Sequence, residues 1–258
     1  MLFLTLLACA GPPEEAPTDL DALLHWFFVN RDTATEEELR AAADNLRPLI
    51  TEPTRGTVSL LTTEEQGVVE MAVPADPANA TGIYVAGPVD CSLEDMERVR
   101  YALDQEGLYE SATGEESYID YSRVYLNSIE DYEARTSASL EWETTYTVKP
   151  VLSEYTAVIL GGLRGVPATE DATRVVVDRA HLPSPAVFVA EGGDYFDQDY
   201  QLDVMLADGD TSIHIYAVWR DLESATLPDE SAGVQNLMMN GFEDFDRDTE
   251  LVCAAGGF

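Results

Sequence analysis

The sequence predicts an α+β fold: an antiparallel β-sheet of about five to seven strands curled round a long C-terminal helix, preceded by an N-terminal helical hairpin. Three observations carry that expectation. Apolar residues recur at helical spacing over residues 19–46, at two-residue spacing over 138–148 and 200–219, and again at helical spacing over 234–252. With 258 residues, 45% of them hydrophobic, the chain can also bury a full-sized core.

The elements follow in order. Thr18 or Asp19 caps a first helix whose apolar positions are Leu20, Leu23, Leu24, Phe27 and Phe28. Thr35 and Glu38 form a capping box for a second helix, with Leu39, Ala42, Ala43 and Leu46 on one face and Pro48 near its stop. The hairpin so formed, residues 19–52, offers an aromatic face of Trp26, Phe27 and Phe28 to the main domain or to a partner. From residue 53 onwards a second unit is expected to run to residue 258. It opens with short β-branched runs at 57–61, 68–73 and 83–85, after which Ser92 caps a helix carrying Leu93, Met96, Val99 and Leu103 that Gly107 ends.

The stretch 118–221 reads as successive antiparallel strands. In the clearest, Ala138, Leu140, Trp142, Thr144, Tyr146 and Val148 alternate with polar neighbours, so one face is expected to be buried and the other wet. Runs at 155–160, 175–177 and 187–189 add strands, and Gly161-Gly162-Leu163-Arg164-Gly165-Val166-Pro167 reads as a glycine-rich turn. A hairpin follows, with Tyr200, Leu202, Val204 and Leu206 before Asp208-Gly209-Asp210 and Ile213, Ile215, Ala217 and Trp219 after it. Beyond a loop at Pro228, Val234, Leu237, Met238, Gly241, Phe242, Phe245 and Val252 make the stripe of a last helix expected on the concave side of the sheet.

Charge excludes one class of function. Forty-nine acidic residues face 14 basic ones for a net charge of -35, and the basic set contains one lysine, Lys149. Such a surface repels phosphate backbones over about 8 to 10 Å at physiological salt, which excludes nucleic acid as a partner. A solvated carboxylate shell that keeps molecules apart explains the excess; cation binding is the alternative.

At the N-terminus, residues 1–7 are apolar except for Thr5, and Leu6-Leu7-Ala8-Cys9 resembles the lipobox of bacterial lipoprotein signal peptides. That resemblance implies a signal peptide over 1–8, cleavage before Cys9, a diacylglyceryl thioether on its sulfur and an acylated amino terminus. Each buried methylene contributes about 0.8 kcal/mol, so two or three chains anchor the protein to a membrane. The proline-rich acidic segment over 9–18 then serves as tether. The lack of Asp after Cys9 is similar to outer-membrane sorting, which implies a cell-envelope location with the face left open. Removing Cys9 to lipid leaves Cys91 and Cys253 in an oxidising compartment, where a disulfide is expected; two free buried thiols are the alternative.

Catalytic chemistry is not visible. The three histidines sit in no zinc motif, no nucleotide loop or nucleophile elbow occurs, and no catalytic residue, cofactor or metal ligand is assigned, so an enzyme is not expected. His214 is expected to be a half-exposed strand residue, and His25 and His181 have no neighbours that argue catalysis. Two acidic clusters, Asp244, Asp246, Asp248 and Glu250, and Asp194, Asp197 and Asp199, place oxygens at alternate positions, but the first lacks the glycine and terminal glutamate of an EF-hand and overlaps a predicted helix.

Helix, antiparallel strands and a long C-terminal helix, over residues 87–253, is an element order that resembles the helix-grip folds of the START-like lipid-binding superfamily. The resemblance implies an apolar cavity lined by Leu140, Trp142, Leu202, Val204, Ile215, Trp219, Met238 and Phe242, in which that family holds lipids, sterols or polyketides. It also suits a Cys91–Cys253 bridge pinning the end of the last helix near the start of the first. The function so implied is binding of a hydrophobic small molecule or lipid. A structural or protein-interaction lipoprotein, with those side chains simply filling the core, is the alternative.

Overall fold

The computed structural model describes residues 16–72, 75–116, 118–148, 154–169, 173–189, 195–223 and 232–256. Cys9 and its lipobox, the tether up to residue 15, Lys149, Asp194 and the Pro228 loop lie outside the described residues.

The helical hairpin is α1 (Leu20–Asn30) and α2 (Glu36–Leu46). Asp19 caps α1 by accepting from Ala22 N, and Thr35 and Glu38 close a reciprocal capping box on α2. Leu23, Leu24, Phe27 and Phe28 of α1 and Leu39, Ala42, Ala43 and Leu46 of α2 are all buried, so the hairpin docks its apolar face within the molecule.

Nine antiparallel strands form one sheet among the described residues. They are β1 (Thr54–Thr57), β2 (Thr81–Val89), β3 (Asp120–Tyr125), β4 (Ser139–Val148), β5 (Tyr155–Val166), β6 (Val175–His181), β7 (Val187–Phe188), β8 (Tyr195–Asp208) and β9 (Thr211–Glu223). Their order is β1-β2-β9-β8-β6-β5-β4-β3, with the two-residue β7 beside β5. The remaining helices are α3 (Thr63–Gln66), α4 (Leu93–Tyr101), α5 (Gln105–Thr113), α6 (Ile129–Glu133) and the long C-terminal α7 (Ala232–Ala255). The chain is thus an α+β protein with a large antiparallel sheet and a C-terminal helix. No helix among the described residues is long and apolar enough to cross a membrane.

Four local expectations are corrected. Residues 68–72 are not a strand: Val68 N and Val69 N bond back to Glu65 O and Gln66 O, continuing the turn that leaves α3. The strand expected at 57–61 is β1, displaced towards the N-terminus and paired from Thr54. The helix capped by Ser92 stops at Ala102, and Asp104 caps a new one by accepting from Gly107 N; Gly107 is therefore inside α5, which ends at Gly114. The glycine-rich turn is the second half of β5. There Gly161 and Gly162 let neighbouring side chains lie against the backbone: a Cβ on Gly161 would sit 2.9 Å from Trp142 Nε1.

β8 and β9 join through a two-residue loop in which Gly209 takes φ 66°, as the tight reversal requires. Because the side-chain period of a strand is two, register decides which layer each residue meets. Leu202, Val204 and Leu206 of β8 and Ile213, Ile215, Ala217 and Trp219 of β9 form one cluster with α1 and α2, together with Val175 and Val177 of β6. Gln201, Asp203, His214, Tyr216 and Arg220 alternate with them and project to the other side, where α4 and α7 lie. Both faces of the central hairpin are buried. The Cys91 and Cys253 sulfurs are bonded across a Cα separation of 5.7 Å, which fixes the end of α7 to the segment between β2 and α4.

Candidate ligand-binding cavity

A cavity of about 420 Å³ lies between the inner face of the sheet and α7. Its wall draws on every neighbouring strand from β9 round to β3: Tyr216 and Arg220, Gln201, Asp178 and Ala180, Tyr155 and Ile159, Trp142, Thr144, Tyr146 and Val148, then Tyr121 and Arg123. Met238, Gly241, Phe242 and Phe245 of α7 close one side, and Arg100, Gln105 and Tyr118 complete the wall. Six adjacent strands can border one hollow only if the sheet is curved about it. A volume of this size falls in the usual range for small-molecule sites.

The aromatic part forms two groups. Tyr118 packs against Tyr121 at 5.3 Å and Tyr146 at 5.4 Å between ring centroids, Tyr146 meets Tyr155 at 6.3 Å, and Tyr216 stands edge-on to Phe242 at 4.5 Å. Burial holds these phenols neutral: it pushes Tyr118 up to about 12 and carries Tyr146 and Tyr216 well above the usual value.

The floor is charged. Arg100 of α4 bridges two carboxylates that face each other across β6 and β8, donating to Asp178 Oδ2 at 3.2 Å and, in a short contact, to Asp203 Oδ2. Burial works against the Arg100 charge, but Asp203 and Asp178 outweigh it and raise its pKa. Asp203 Oδ1 meets His214 Nε2 at 2.9 Å, and His214 Nδ1 meets Asp246 Oδ1 of α7 at 2.6 Å. Burial opposes protonation of His214, yet Asp246 and Asp203 raise its pKa to about 9, so at neutral pH it is a cation bonded to both. Asp178 takes the opposite course: burial lifts its pKa to about 6 against the pull of Arg100, and its Oδ1 accepts no hydrogen bond. Arg220 donates to both oxygens of Asp199, at 2.9 and 3.0 Å.

Of the eight residues expected to line a cavity, Trp142, Met238 and Phe242 do so. Leu140 is buried one turn of the pleat away, in the cluster of Met96, Tyr132 and Met205. Leu202, Val204, Ile215 and Trp219 are corrected: they face α1 and α2 on the opposite side of the sheet. Their alternation identifies an apolar face without saying which layer covers it, and the hairpin takes that face. His214 is likewise not half-exposed but buried, because the face expected to be wet is the inner one. His25 bonds Glu65 and Ser59 O beside α1, and His181 bonds Glu70 O at the end of β6. Asp246 serves His214, Glu250 accepts from Asp90 N, Asp244 pairs with Arg247 and Asp199 with Arg220. The cavity residues that sequence reasoning misses include the tyrosines Tyr118, Tyr121, Tyr146, Tyr155 and Tyr216 and the charged Arg100, Arg123, Asp178 and Arg220. For the three arginines the available signal is rarity, since a chain with 14 basic residues places several in interior helix and strand positions.

Two other hollows lack this lining. One of about 620 Å³ beside α4 and α5 is a groove of Glu94, Glu97, Arg98, Glu133 and Arg135 with Tyr101 as its one aromatic. Another of about 350 Å³ near the end of α1 holds Arg31, Arg179 and Glu141 in mutual or shared ion pairs with Asp32.

Neither a protein-family model nor a curated protein matches the chain. Among solved structures it is similar to a STAR-related lipid transfer protein from Xanthomonas axonopodis, with 9% identity and a TM-score of 0.42 over 80% of this chain and 93% of that one. It is also similar to the lipid transfer and protein localization domain of human StarD13, at 8% identity and a TM-score of 0.41 over 86% and 98%. A third likeness is to the protein TTHA0849 of Thermus thermophilus, at 15% identity and a TM-score of 0.42 over 67% and 98%. The fold class itself stands on the sheet order and register described above.

Proposed function

We propose that the chain binds a hydrophobic small molecule or lipid in the cavity between the inner sheet face and α7, as a binding protein and not an enzyme. One observation carries this reading: a hollow of about 420 Å³ bordered by six strands and α7, walled in part by packed tyrosines. Large aromatic side chains that merely filled a core would close it. The same proposal places the protein in the cell envelope, tethered to a membrane, most simply the outer one, through acylated Cys9. The Leu6-Leu7-Ala8-Cys9 pattern supports that address, and a Cys91–Cys253 disulfide suits an oxidising compartment.

Binding is tested by titrating the full chain with the neutral fluorophore N-phenyl-1-naphthylamine. Saturable emission, reduced in Phe242→Ala, is expected; no saturable binding overturns the cavity reading. The anchor is tested by feeding an alkyne palmitate analogue to cells making the protein. Label on the unaltered chain and none on Cys9→Ser is expected, and an unlabelled product in the cytosolic fraction refutes the tether.

A further inference from the structure

Resting on the cavity reading above, we infer that the occupant is an aromatic acid, a flat unsaturated body carrying one anionic group that seats against Arg123. The charge census of the wall points there. Across the chain, acidic residues outnumber basic ones by 49 to 14, yet among the described residues the charged ones lining this cavity are Arg100, Arg123, Arg220 and a single acid, Asp178. Two of the three guanidinium groups are neutralised in place, Arg100 by Asp178 and Asp203 and Arg220 by Asp199.

Arg123 is different. It donates to Thr144 Oγ1 at 2.9 Å, to Arg100 O at 2.5 Å, to Ala102 O at 3.2 Å and to Gln105 Oε1 at 3.0 Å, all of them neutral acceptors. No carboxylate among the described residues forms an ion pair with it. Four bonds leave one of its five N–H groups over. Its guanidinium carbon lies 4.7 Å from the centre of the Trp142 ring and 5.7 Å from that of Tyr121, which fixes its orientation. The two carbonyls it caps lie at the C-terminal end of α4, where a cation is favoured, and this accounts for its tolerance of burial without a directly bonded carboxylate among the described residues. The result is a preorganised, half-desolvated cation inside an aromatic-lined hollow. A guanidinium so placed recognises a carboxylate or sulfonate far better than a hydroxyl or ester, because charge-assisted hydrogen bonds are roughly twice as strong as neutral ones. The surrounding tyrosines, Trp142 and Phe242 supply ring faces and edges for the flat body.

The experiment displaces bound N-phenyl-1-naphthylamine from the full chain with 2-naphthoate and, separately, with its neutral methyl ester. Expected is displacement by the acid at a concentration at least about tenfold lower than by the ester, one added charge-assisted bond being worth about 1.4 kcal/mol. In Arg123→Gln the acid-to-ester ratio should collapse towards unity, and in Arg123→Lys a preference for the acid should persist. Equal displacement by acid and ester in the unaltered chain overturns the inference while leaving the cavity reading intact. Failure of the fluorophore itself to bind overturns the cavity reading. A full acid preference in Arg123→Gln removes the assignment to Arg123, and should that variant not fold, the unaltered ratio and Arg123→Lys still decide.

Discussion

The β8–β9 hairpin presents two faces to two layers of helix, and the contrast between them separates what holds this protein together from what it offers a ligand. On the outer face Leu202, Val204, Ile215 and Trp219 meet Phe27, Phe28 and Leu39, all fully buried, with Arg179 at the edge of the layer over the Phe28 ring. On the inner face, one residue along in register, Asp203 and His214 bond Arg100 and Asp246 directly and Tyr216 meets Phe242, beside a hollow that Tyr216 and Arg220 help line. The outer layer is a packed hydrophobic contact whose value scales with area removed from water. The inner layer is a set of buried ions that contribute specificity of placement more than stability, since desolvation offsets most of their attraction.

The sharpest way to break that contrast is to truncate one large aromatic on each side. Trp219 is fully buried and donates Nε1 to Ser59 O at 2.7 Å, so Trp219→Ala should cost roughly 3 to 5 kcal/mol of unfolding free energy by denaturant titration. Phe242→Ala, which enlarges an existing hollow on a half-buried helix face, should cost about 1 kcal/mol or less. Equal costs would mean that the inner layer is packed as tightly as the outer one.

Much of this division was legible in the sequence and one decisive part was not. Asp19, Thr35 with Glu38, and the alternation over β4 each locate an element, because capping and periodicity are local. For β4 the apolar parity also points correctly to the cavity, through Trp142, Thr144, Tyr146 and Val148. For β8 and β9 the same reasoning names the wrong side. Period-two alternation reports that one face is apolar, whereas which helix covers it depends on contacts spanning more than a hundred residues, as between Phe28 and Arg179 or Trp219 and Ser59. His214 was misplaced for the same reason: a polar strand face is usually wet, and here α7 brings Asp246 to it. The glycines of β5 hid a strand because their purpose is the close approach of Trp142, a tertiary fact.

The disulfide sharpens the comparison from the inner side, since it ties α7 and not the hairpin. With a sequence separation of 162 between Cys91 and Cys253, loss of the bridge in Cys91→Ser/Cys253→Ser should cost about 2 to 4 kcal/mol, less than chain entropy alone gives for so long a loop. It should also weaken N-phenyl-1-naphthylamine binding, because α7 forms one wall. An unchanged midpoint of unfolding and unchanged binding would show that the inner ions hold α7 without it.

Those ions leave a signature in pH. The folded-state pKa of His214 is raised above its ordinary 6.5 to about 9, so its stabilising contribution is fully present below about pH 6.5 and is lost as pH rises through 9. The expected decline in unfolding free energy over that window is about 3 kcal/mol, and it should vanish in His214→Gln. A pH-independent plateau in the unaltered chain between 6.5 and 9 would contradict the Asp203–His214–Asp246 bridge.

The smallest expected effect concerns the affinity for an anionic probe, and it tests whether the inner charges act on a ligand at all. Asp178, the one acid in the cavity wall, is held above the ordinary carboxylate range by burial and faces Arg100 from α4, Asp203 from β8, Arg123 from β3 and the charge of Arg31 beyond α1. Lowering the pH from 8 to about 5.5 neutralises part of it and leaves the three guanidinium groups charged, while 2-naphthoate remains ionised. The sign is therefore fixed: 2-naphthoate should bind a few-fold more tightly at the lower pH and its methyl ester should not, with the difference abolished in Asp178→Asn. Added salt should act in the same direction at constant pH. A net charge of -35 repels the anion from afar at low ionic strength, whereas at physiological salt that field fades within about 8 Å and the short-range attraction of the cavity wall survives. If anion affinity instead fell on added salt and its rise on acidification persisted in Asp178→Asn, the probe would be held by exposed arginines at the surface, and the inner face would be a stabilising ion network with no selectivity for charge.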